Sequence, residues 1–259
     1  MSSISRISEL NSDVPCLILV GGLGTRLRPV LPDIPKPMAP VGGKPFLEYL
    51  VRWLSRARLR HIVLCAGYGA VQIQKYFGQG EAFGAQITYS IENEPLGTWG
   101  AIRLAAEQID YPEFLVLNGD SWIQVNLSAL LDFHHQKGGV SSIAAVRMED
   151  SSRFGSIKLG AAGRITAFLE KQTEGSTLIN GGVYVFSRRA LDIAPHTTGA
   201  SSLEKEIFPA LIPHGVYGMH VEGYFVDIGV PEGYKRLLRD ATRWIVALRI
   251  QMPGRDSKC

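Results

Sequence analysis

The chain has 259 residues, of which 46% are hydrophobic and 20% charged, with 27 Lys and Arg against 24 Asp and Glu. A chain of this length and apolar content can bury a core without disulfides or a structural metal. Its basic residues are spread along the sequence rather than gathered in a long run. This distribution disfavours nucleic acid and membrane surfaces as partners.

Cysteine usage and the N-terminal segment predict a reduced, cytoplasmic protein. Cys16, Cys65 and Cys259 lack the spacing of a zinc site or a redox motif. Residues 1–13 are polar and serine-rich, without the apolar centre of a signal peptide, and are expected to be a flexible N-terminus. No apolar stretch approaches the roughly 18 to 20 residues that a membrane-spanning helix needs.

The first half of the chain alternates buried strands with helices. A continuous apolar run at 14–20 ends in Gly21 and Gly22, as expected of a strand covered on both faces. Strands are then predicted at 61–66, 87–91 and 113–117, and helices at 47–54, 70–77, 100–108 and 127–136. This alternation predicts an α/β fold, a Rossmann-like, mainly parallel mixed sheet flanked by helices.

The rhythm changes after about residue 140. Strands at 143–146, 155–159, 165–169 and 179–186 follow one another without crossover helices, which predicts a small antiparallel substrate lobe. A helix at 203–211, strands at 216–221 and 224–228, and a closing helix from Pro231 complete a domain over 14–240. Residues 241–259 are expected to form a C-terminal helix or tail, against the core or in a subunit contact. A homo-oligomer is compatible with the sequence.

Two local patterns favour structural roles. His134 and His135 lie on a helix face that appears polar in the sequence, and both are expected to meet solvent. Ser201 and Glu204 have the spacing of a helix capping box, which assigns Glu204 no catalytic role.

The loop after the first strand carries the strongest chemical signal. Its glycines, Gly21, Gly22 and Gly24, allow backbone N–H groups to approach an anionic ligand at the carboxyl end of a buried strand. The dinucleotide fingerprint does not fit the spacing, since Leu27 stands where it needs glycine. The P-loop pattern does not fit either, since Met38 and Pro45 occupy its diagnostic positions around Gly43 and Lys44. The loop also supplies cations, because Arg26 suits phosphate oxygens in a fork and Lys36 offers a point charge.

The full pattern resembles the sugar-phosphate nucleotidyltransferases, which make nucleotide sugars from a nucleoside triphosphate and a sugar 1-phosphate. The matching segments are Gly-Gly-x-Gly-Thr-Arg-Leu-x-Pro from Gly21, Pro-Lys-Pro at 35–37, Glu-Pro-Leu-Gly-Thr at 94–98, Asn-Gly-Asp at 118–120, Glu-Lys at 170–171, and Phe-Val-Asp-Ile-Gly at 225–229. Together they extend over most of the chain.

The resemblance implies a role for each matching residue. The catalytic set would be Arg26, Lys36 and Asp120, with Mg²⁺ held by Asp120 and Asp227. The nucleotide would lie against Gly21, Gly22, Gly24, Thr25 and Gly97, and the sugar phosphate against Glu170, Lys171 and Asn180. Arg153 would help to order the substrate lobe.

The local segments at 33–40, 118–121, 153–155, 179–182 and 227–231 resemble the family members that act on D-glycero-α-D-manno-heptose 1-phosphate and GTP. Alternatives are mannose 1-phosphate with GTP, an N-acetylated sugar phosphate with UTP, or a non-catalytic subunit that binds nucleotide sugars. A glycosyltransferase fits less well, because Asp-x-Asp is absent where Asp120 is followed by Ser121 and Trp122. Two departures from the family pattern are Val20 before the glycines and Trp99, which is expected either in the core or against the pocket.

Overall fold

The computed structural model describes residues 14–149, 154–169, 177–195 and 199–250. The strands are β1 (Cys16–Leu19), β2 (Pro40–Val41), β3 (Lys44–Pro45), β4 (His61–Ala66), β5 (Gln86–Ile91), β6 (Glu113–Asn118), β7 (Ser121–Ile123), β8 (Ser141–Met148), β9 (Ser156–Leu159), β10 (Ile165–Leu169), β11 (Thr177–Ser187), β12 (Val216–Val221) and β13 (Phe225–Asp227). The α-helices are α1 (Phe46–Arg56), α2 (Ala70–Phe77), α3 (Gly97–Ala106), α4 (Leu127–Lys137), α5 (Arg189–Ile193), α6 (Phe208–Leu211), α7 (Pro231–Arg239) and α8 (Ala241–Ile250).

A mixed sheet organises these elements, in the order β10-β9-β11-β6-β1-β4-β5, with β8 beside β11 and β12 beside β8. Strand β1 runs parallel to β4 and β6, and β4 runs parallel to β5. Strand β11 is antiparallel to both β6 and β8, which joins the second half of the chain to the parallel centre. The predicted α/β architecture with an antiparallel extension is confirmed.

The sheet is covered on both faces, which explains why its central strands are continuously apolar. In β1, Cys16 and Ile18 face the cluster that contains the buried stripe of α1, whereas Leu17 faces a second cluster that contains Ile102 of α3. Alternate residues of one strand therefore enter two separate cores.

A separate two-stranded antiparallel sheet is formed by β7 and β13, with Asp227 paired to Ser121. Strand β7 has three residues, too few for periodicity to reveal it in the sequence. The pairing brings the segment after Asp120 against the segment that ends in Asp227. Strand pairing, and not sequence proximity, thus places the two carboxylates together.

The C-terminal helix α8 packs on the core. Trp244 is fully buried, and its ring stacks on Phe46 with a centroid distance of 5.4 Å. None of the helices in the described ranges is both long and apolar enough to cross a membrane.

The prediction that His134 meets solvent is wrong. His134 is 3% exposed, and its ring nitrogens lie 3.0 Å from the hydroxyls of Ser142 and Ser187. It continues the buried stripe of α4 from Leu127 and Leu130, which puts the imidazole inside. Burial lowers the pKa of His134 to about 4. His135 does lie at the surface, 2.8 Å from Glu113.

The predicted capping box at Ser201 and Glu204 is also wrong. Ser202 is the N-cap, and its hydroxyl accepts from the Lys205 N–H at 3.4 Å. Glu206, not Glu204, accepts from the Ser202 N–H, at 3.2 Å. The segment Leu203–Ile207 begins as a π-helical turn, whose wider spacing brings the residue four positions on back to the cap.

Candidate active site

A cleft of about 990 Å³ opens at the carboxyl edge of the parallel strands. Strands β1, β4, β5 and β6 end at this edge, and the residues that follow them, including Gly21, Gly67, Glu92 and Asp120, line the cleft. The opposite wall comes from the second half of the chain and includes Asn180 on β11. Open α/β sheets bind ligands at this edge.

The glycine loop forms one wall of the cleft. Gly21, Gly22 and the exposed Arg26 line it, while the buried Leu27 anchors the loop to the core. Gly24 has a φ of 65°, and a Cβ at this position would lie 3.1 Å from the Lys36 side chain, so glycine permits both the turn and the close approach. Gly24 and Thr25 lie in the loop and outside the cleft lining.

Lys36 and Asp120 meet in the lining of the cleft. Lys36 Nζ donates to Asp120 Oδ2 at 3.1 Å, and the two side chains are 13% and 32% exposed. Pro35 and Pro37 flank Lys36 and are both buried, which restricts the backbone that carries the ammonium group. Asp120 lies two residues after the end of strand β6, so the sheet itself sets its position.

Asp227 lies next to Asp120 across Gly229. The Gly229 N–H donates to Asp227 Oδ1 at 2.6 Å, and the Ile228 N–H donates to the Asp120 carbonyl at 2.9 Å. A Cβ at Gly229 would lie 2.8 Å from Asp227 Oδ1 and 3.3 Å from Asp120 Oδ2, so glycine leaves a cradle between the carboxylates. Two carboxylates around such a space fit Mg²⁺, which completes its coordination with water and phosphate oxygens.

No group of three or more His, Cys, Asp and Glu residues with metal-site geometry occurs in the described parts of the chain. A two-carboxylate site would therefore need further oxygen ligands from water and from the substrate.

The sugar-phosphate residues predicted from the sequence are described in part. Asn180 lines the wall opposite the glycine loop. Glu170, Lys171 and Arg153 lie outside the described residues. Gly97 lines the cleft at the start of α3 with a φ of 71°, and a Cβ there would meet the Ser201 backbone.

The two departures from the family pattern have different surroundings. Val20 is buried, yet it belongs to the cleft lining beside the glycine loop. Trp99 is fully buried and packs on Phe186 with a centroid distance of 5.8 Å, away from the cleft lining. Of the two expectations for Trp99, core packing is the one confirmed.

Two acidic residues of the cleft, Glu92 and Glu204, were not assigned to the site from the sequence. Glu92 directly follows β5 and is the counterpart of Asp120 after β6, so the rule that strand ends share one edge could have found it. Its Oε2 accepts from the Leu96 N–H at 3.1 Å, and its Oε1 lies over the bare Cα atoms of Gly21 and Gly67. Glu204 was assigned to a helix cap, and this concealed its position in the cleft.

Comparison with known proteins agrees with this geometry. The model of the nucleotidyl transferase family matches residues 16–243. Mannose-1-phosphate guanylyltransferase of Mycobacterium tuberculosis is 39% identical over 236 residues, which are 90% of this chain and 66% of that protein. D-glycero-α-D-manno-heptose 1-phosphate guanylyltransferase of Aneurinibacillus thermoaerophilus is 34% identical over 229 residues, which are 88% of this chain and 99% of that protein.

Among solved structures, HddC from Yersinia pseudotuberculosis complexed with GMP-PN matches with a TM-score of 0.79 and 32% identity, covering 88% of this chain and 99% of that one. The match over residues 16–243 includes every described residue of the cleft that the sequence motifs identified. The chain therefore belongs to the nucleotidyl transferase family of enzymes, as the motifs in its sequence predict.

Proposed function

We propose that this enzyme transfers GMP from GTP to D-glycero-α-D-manno-heptose 1-phosphate, forming GDP-heptose and pyrophosphate. The observation that carries the proposal is the meeting of Lys36, Asp120 and Asp227 beside a glycine loop at one sheet edge. An oxygen of the sugar phosphate attacks the α-phosphorus, the bond from that phosphorus to the β-phosphate oxygen breaks, and pyrophosphate leaves. Such a transfer needs two polyanions held in line rather than a protein nucleophile.

The charged residues divide this work. Lys36, next to Asp120, is placed to neutralise oxygens on the α-phosphate as negative charge shifts during the transfer. Arg26, exposed on the glycine-loop wall, suits the departing pyrophosphate because its guanidinium binds two oxygens at once. Asp120 and Asp227 would hold Mg²⁺, which would supply charge neutralisation and orient the phosphate oxygens.

Base selection is assigned to Glu92. Guanine presents an N1–H and an exocyclic N2–H side by side, and a carboxylate, which only accepts hydrogen bonds, matches that pair. Glu92 is fixed by the Leu96 N–H, and Gly21 and Gly67 leave room for its carboxylate, because a Cβ at either glycine would lie 2.7 Å from Oε1. This arrangement supports GTP over UTP, whose base offers a single N–H.

The preference for a heptose rests on the local motifs and on two relatives. The heptose 1-phosphate guanylyltransferases of Aneurinibacillus thermoaerophilus and Campylobacter jejuni are 34% and 35% identical to this chain. Mannose 1-phosphate is the second candidate acceptor, and the 39% identity to the Mycobacterium tuberculosis enzyme favours it.

Pyrophosphate release tests the reaction. The purified chain with Mg²⁺ is assayed with GTP, UTP, dTTP and CTP, each against heptose 1-phosphate and mannose 1-phosphate. We expect turnover with GTP, and we expect Asp120→Asn to lose most of it while remaining folded. Absence of turnover with every pair, or full activity of Asp120→Asn, contradicts the proposal.

A further inference from the structure

The side-chain amide of Asn180 forms its hydrogen bonds with other residues of the protein. Its Nδ2 donates to the Tyr184 hydroxyl at 2.7 Å and to Glu204 Oε1 at 3.0 Å, and its Oδ1 accepts from the Gly182 N–H at 2.9 Å. A side-chain amide has two N–H donors, and both are used here. Burial raises the pKa of Tyr184 well above its usual value, so the hydroxyl stays neutral and continues to accept. Within the cleft, Asn180 therefore holds the Glu204 carboxylate in place.

Glu204 is held at one oxygen and remains open to the cleft. Asn180 fixes Oε1, Oε2 lies 3.5 Å from the Ser202 hydroxyl, and the side chain is exposed in the cleft lining. A carboxylate offers about four acceptor positions, so these contacts leave capacity for a ligand. Since Glu206 performs the helix-capping role, Glu204 is not needed there.

The surroundings of Glu204 suit a sugar rather than a phosphate. Phe168 lines the same cleft, and its ring stacks on Phe208, four positions after Glu204, at 5.1 Å with planes 8° apart. An aromatic face packs against sugar C–H groups, whereas a carboxylate accepts from sugar hydroxyls and repels phosphates. Arg26 and Lys36 line the cleft beside the glycine loop and are available to the phosphates, and Lys205, next to Glu204, adds a third cation to the lining.

We infer that Glu204 binds hydroxyls of the acceptor sugar, and that Asn180 is a positioning residue acting through it. This inference rests on the proposed function, because it names the part of the cleft that holds the sugar of the sugar 1-phosphate. The sequence had suggested that Asn180 itself contacts the sugar. Because both donors of Asn180 are already used within the protein, we assign the direct contact with the sugar to Glu204 instead.

The test compares two glutamates in the same turn. Glu204→Gln keeps the size of the side chain and an oxygen that accepts from Asn180, but it removes the charge. At saturating GTP, its KM for heptose 1-phosphate and for mannose 1-phosphate is expected to rise at least tenfold, with the KM for GTP within twofold. Glu206→Gln, which still accepts from the Ser202 N–H, is expected to leave both KM values within twofold.

Asn180→Asp tests the positioning role. It removes both donors and sets a second carboxylate beside Glu204, so the sugar KM is expected to rise at least tenfold. The double variant N180D/E204Q is expected to show a sugar KM no higher than that of the worse single variant, because both changes act on one contact. If the fold-increase in the sugar KM of the double variant equals the product of the two single increases, Asn180 binds the sugar independently, and its positioning role is overturned.

Two failures are distinguishable. Absence of turnover by the unaltered enzyme with either sugar 1-phosphate contradicts the proposed function. Turnover by the unaltered enzyme, together with an unchanged sugar KM in Glu204→Gln, overturns the assignment of Glu204 alone.

Discussion

Lys36 Nζ lies 3.1 Å from Asp120 Oδ2, and this contact joins segments 84 positions apart in the chain. The ammonium group therefore occupies one oxygen of a carboxylate that faces the cradle at Gly229. A phosphate or a metal that enters the cleft meets a preformed pair of opposite charges. In the proposed reaction, both this carboxylate and the α-phosphate are partners for the Lys36 ammonium group.

Replacing the lysine tests its role in transfer. Lys36→Met is expected to lower kcat at least 100-fold, because removing one preorganised charge from a transition state typically costs about 3 kcal/mol. Stability should change by less than about 1 kcal/mol, since the ion pair is partly exposed. Pyrophosphate release measures the first value and urea unfolding the second.

Lys44→Met is the matched control, because Lys44 pairs with Glu48 at 2.9 Å outside the cleft lining. It is expected to keep wild-type kcat. A Lys36→Met enzyme within threefold of wild-type kcat would remove Lys36 from the catalytic set.

The cradle between Asp120 and Asp227 predicts that a substitution at Gly229 weakens Mg²⁺ binding. In Gly229→Ala the new methyl group would lie 2.8 Å from Asp227 Oδ1 and 3.3 Å from Asp120 Oδ2. We expect the Mg²⁺ concentration for half-maximal activity to rise at least tenfold, because at least one carboxylate must move. Binding of Mn²⁺, followed by electron paramagnetic resonance, provides a readout independent of turnover. Unchanged affinity in that experiment argues against metal binding between Asp120 and Asp227.

Glu92 predicts a base-selectivity phenotype. Glu92→Gln is expected to reduce kcat/KM for GTP at least tenfold, because an amide presents one acceptor and a mismatched donor to guanine. ITP lacks the exocyclic amino group, so the preference for GTP over ITP should shrink in the variant. Steady-state kinetics with both nucleotides give the ratio.

Glu107→Gln, at the exposed C-cap of α3, is the control for Glu92→Gln and should retain the wild-type ratio of GTP to ITP. If Glu92→Gln also keeps that ratio, the base is read elsewhere in the cleft.

His134 predicts a dependence of stability on pH. Its pKa is lowered from 6.5 to about 4 in the folded chain. Between these values the unfolded chain binds a proton that the folded chain does not, so stability that is complete above pH 6.5 is lost as the pH falls toward 4. The loss from this group is at most about 3 kcal/mol.

Urea unfolding at pH 7 and pH 4.5 isolates the contribution of His134 to the pH dependence of stability. His134→Gln, without a titrating group, is expected to lose about 2 to 3 kcal/mol less than wild type over that interval, whereas exposed His135→Gln should behave as wild type. Equal losses in wild type and His134→Gln would show that His134 is protonated in the folded state.

The parallel core was predictable because each central strand is a continuous apolar run. The runs near Cys16, His61 and Glu113 give β1, β4 and β6 within a few residues. Since parallel strands share an edge, the positions of Gly21 and Asp120 followed from these runs.

The errors arose where tertiary packing overrides local pattern. His134 looks polar as a residue type, yet the hydroxyls of Ser142 and Ser187 provide partners that a sequence pattern does not show. Glu204 has the spacing of a capping residue, but a π-helical turn moves the cap to Glu206. The three-residue strand β7 and its pairing with β13 are long-range contacts without a local signal.

A single competition experiment tests the central claim most directly. The enzyme is given GTP, Mg²⁺ and equal concentrations of D-glycero-α-D-manno-heptose 1-phosphate and mannose 1-phosphate, and the early products are separated by mass spectrometry. We expect GDP-heptose in clear excess over GDP-mannose, with one pyrophosphate released per GDP-sugar. GDP-mannose as the main product would transfer the assignment to mannose 1-phosphate, and the absence of both GDP-sugars would contradict guanylyl transfer itself.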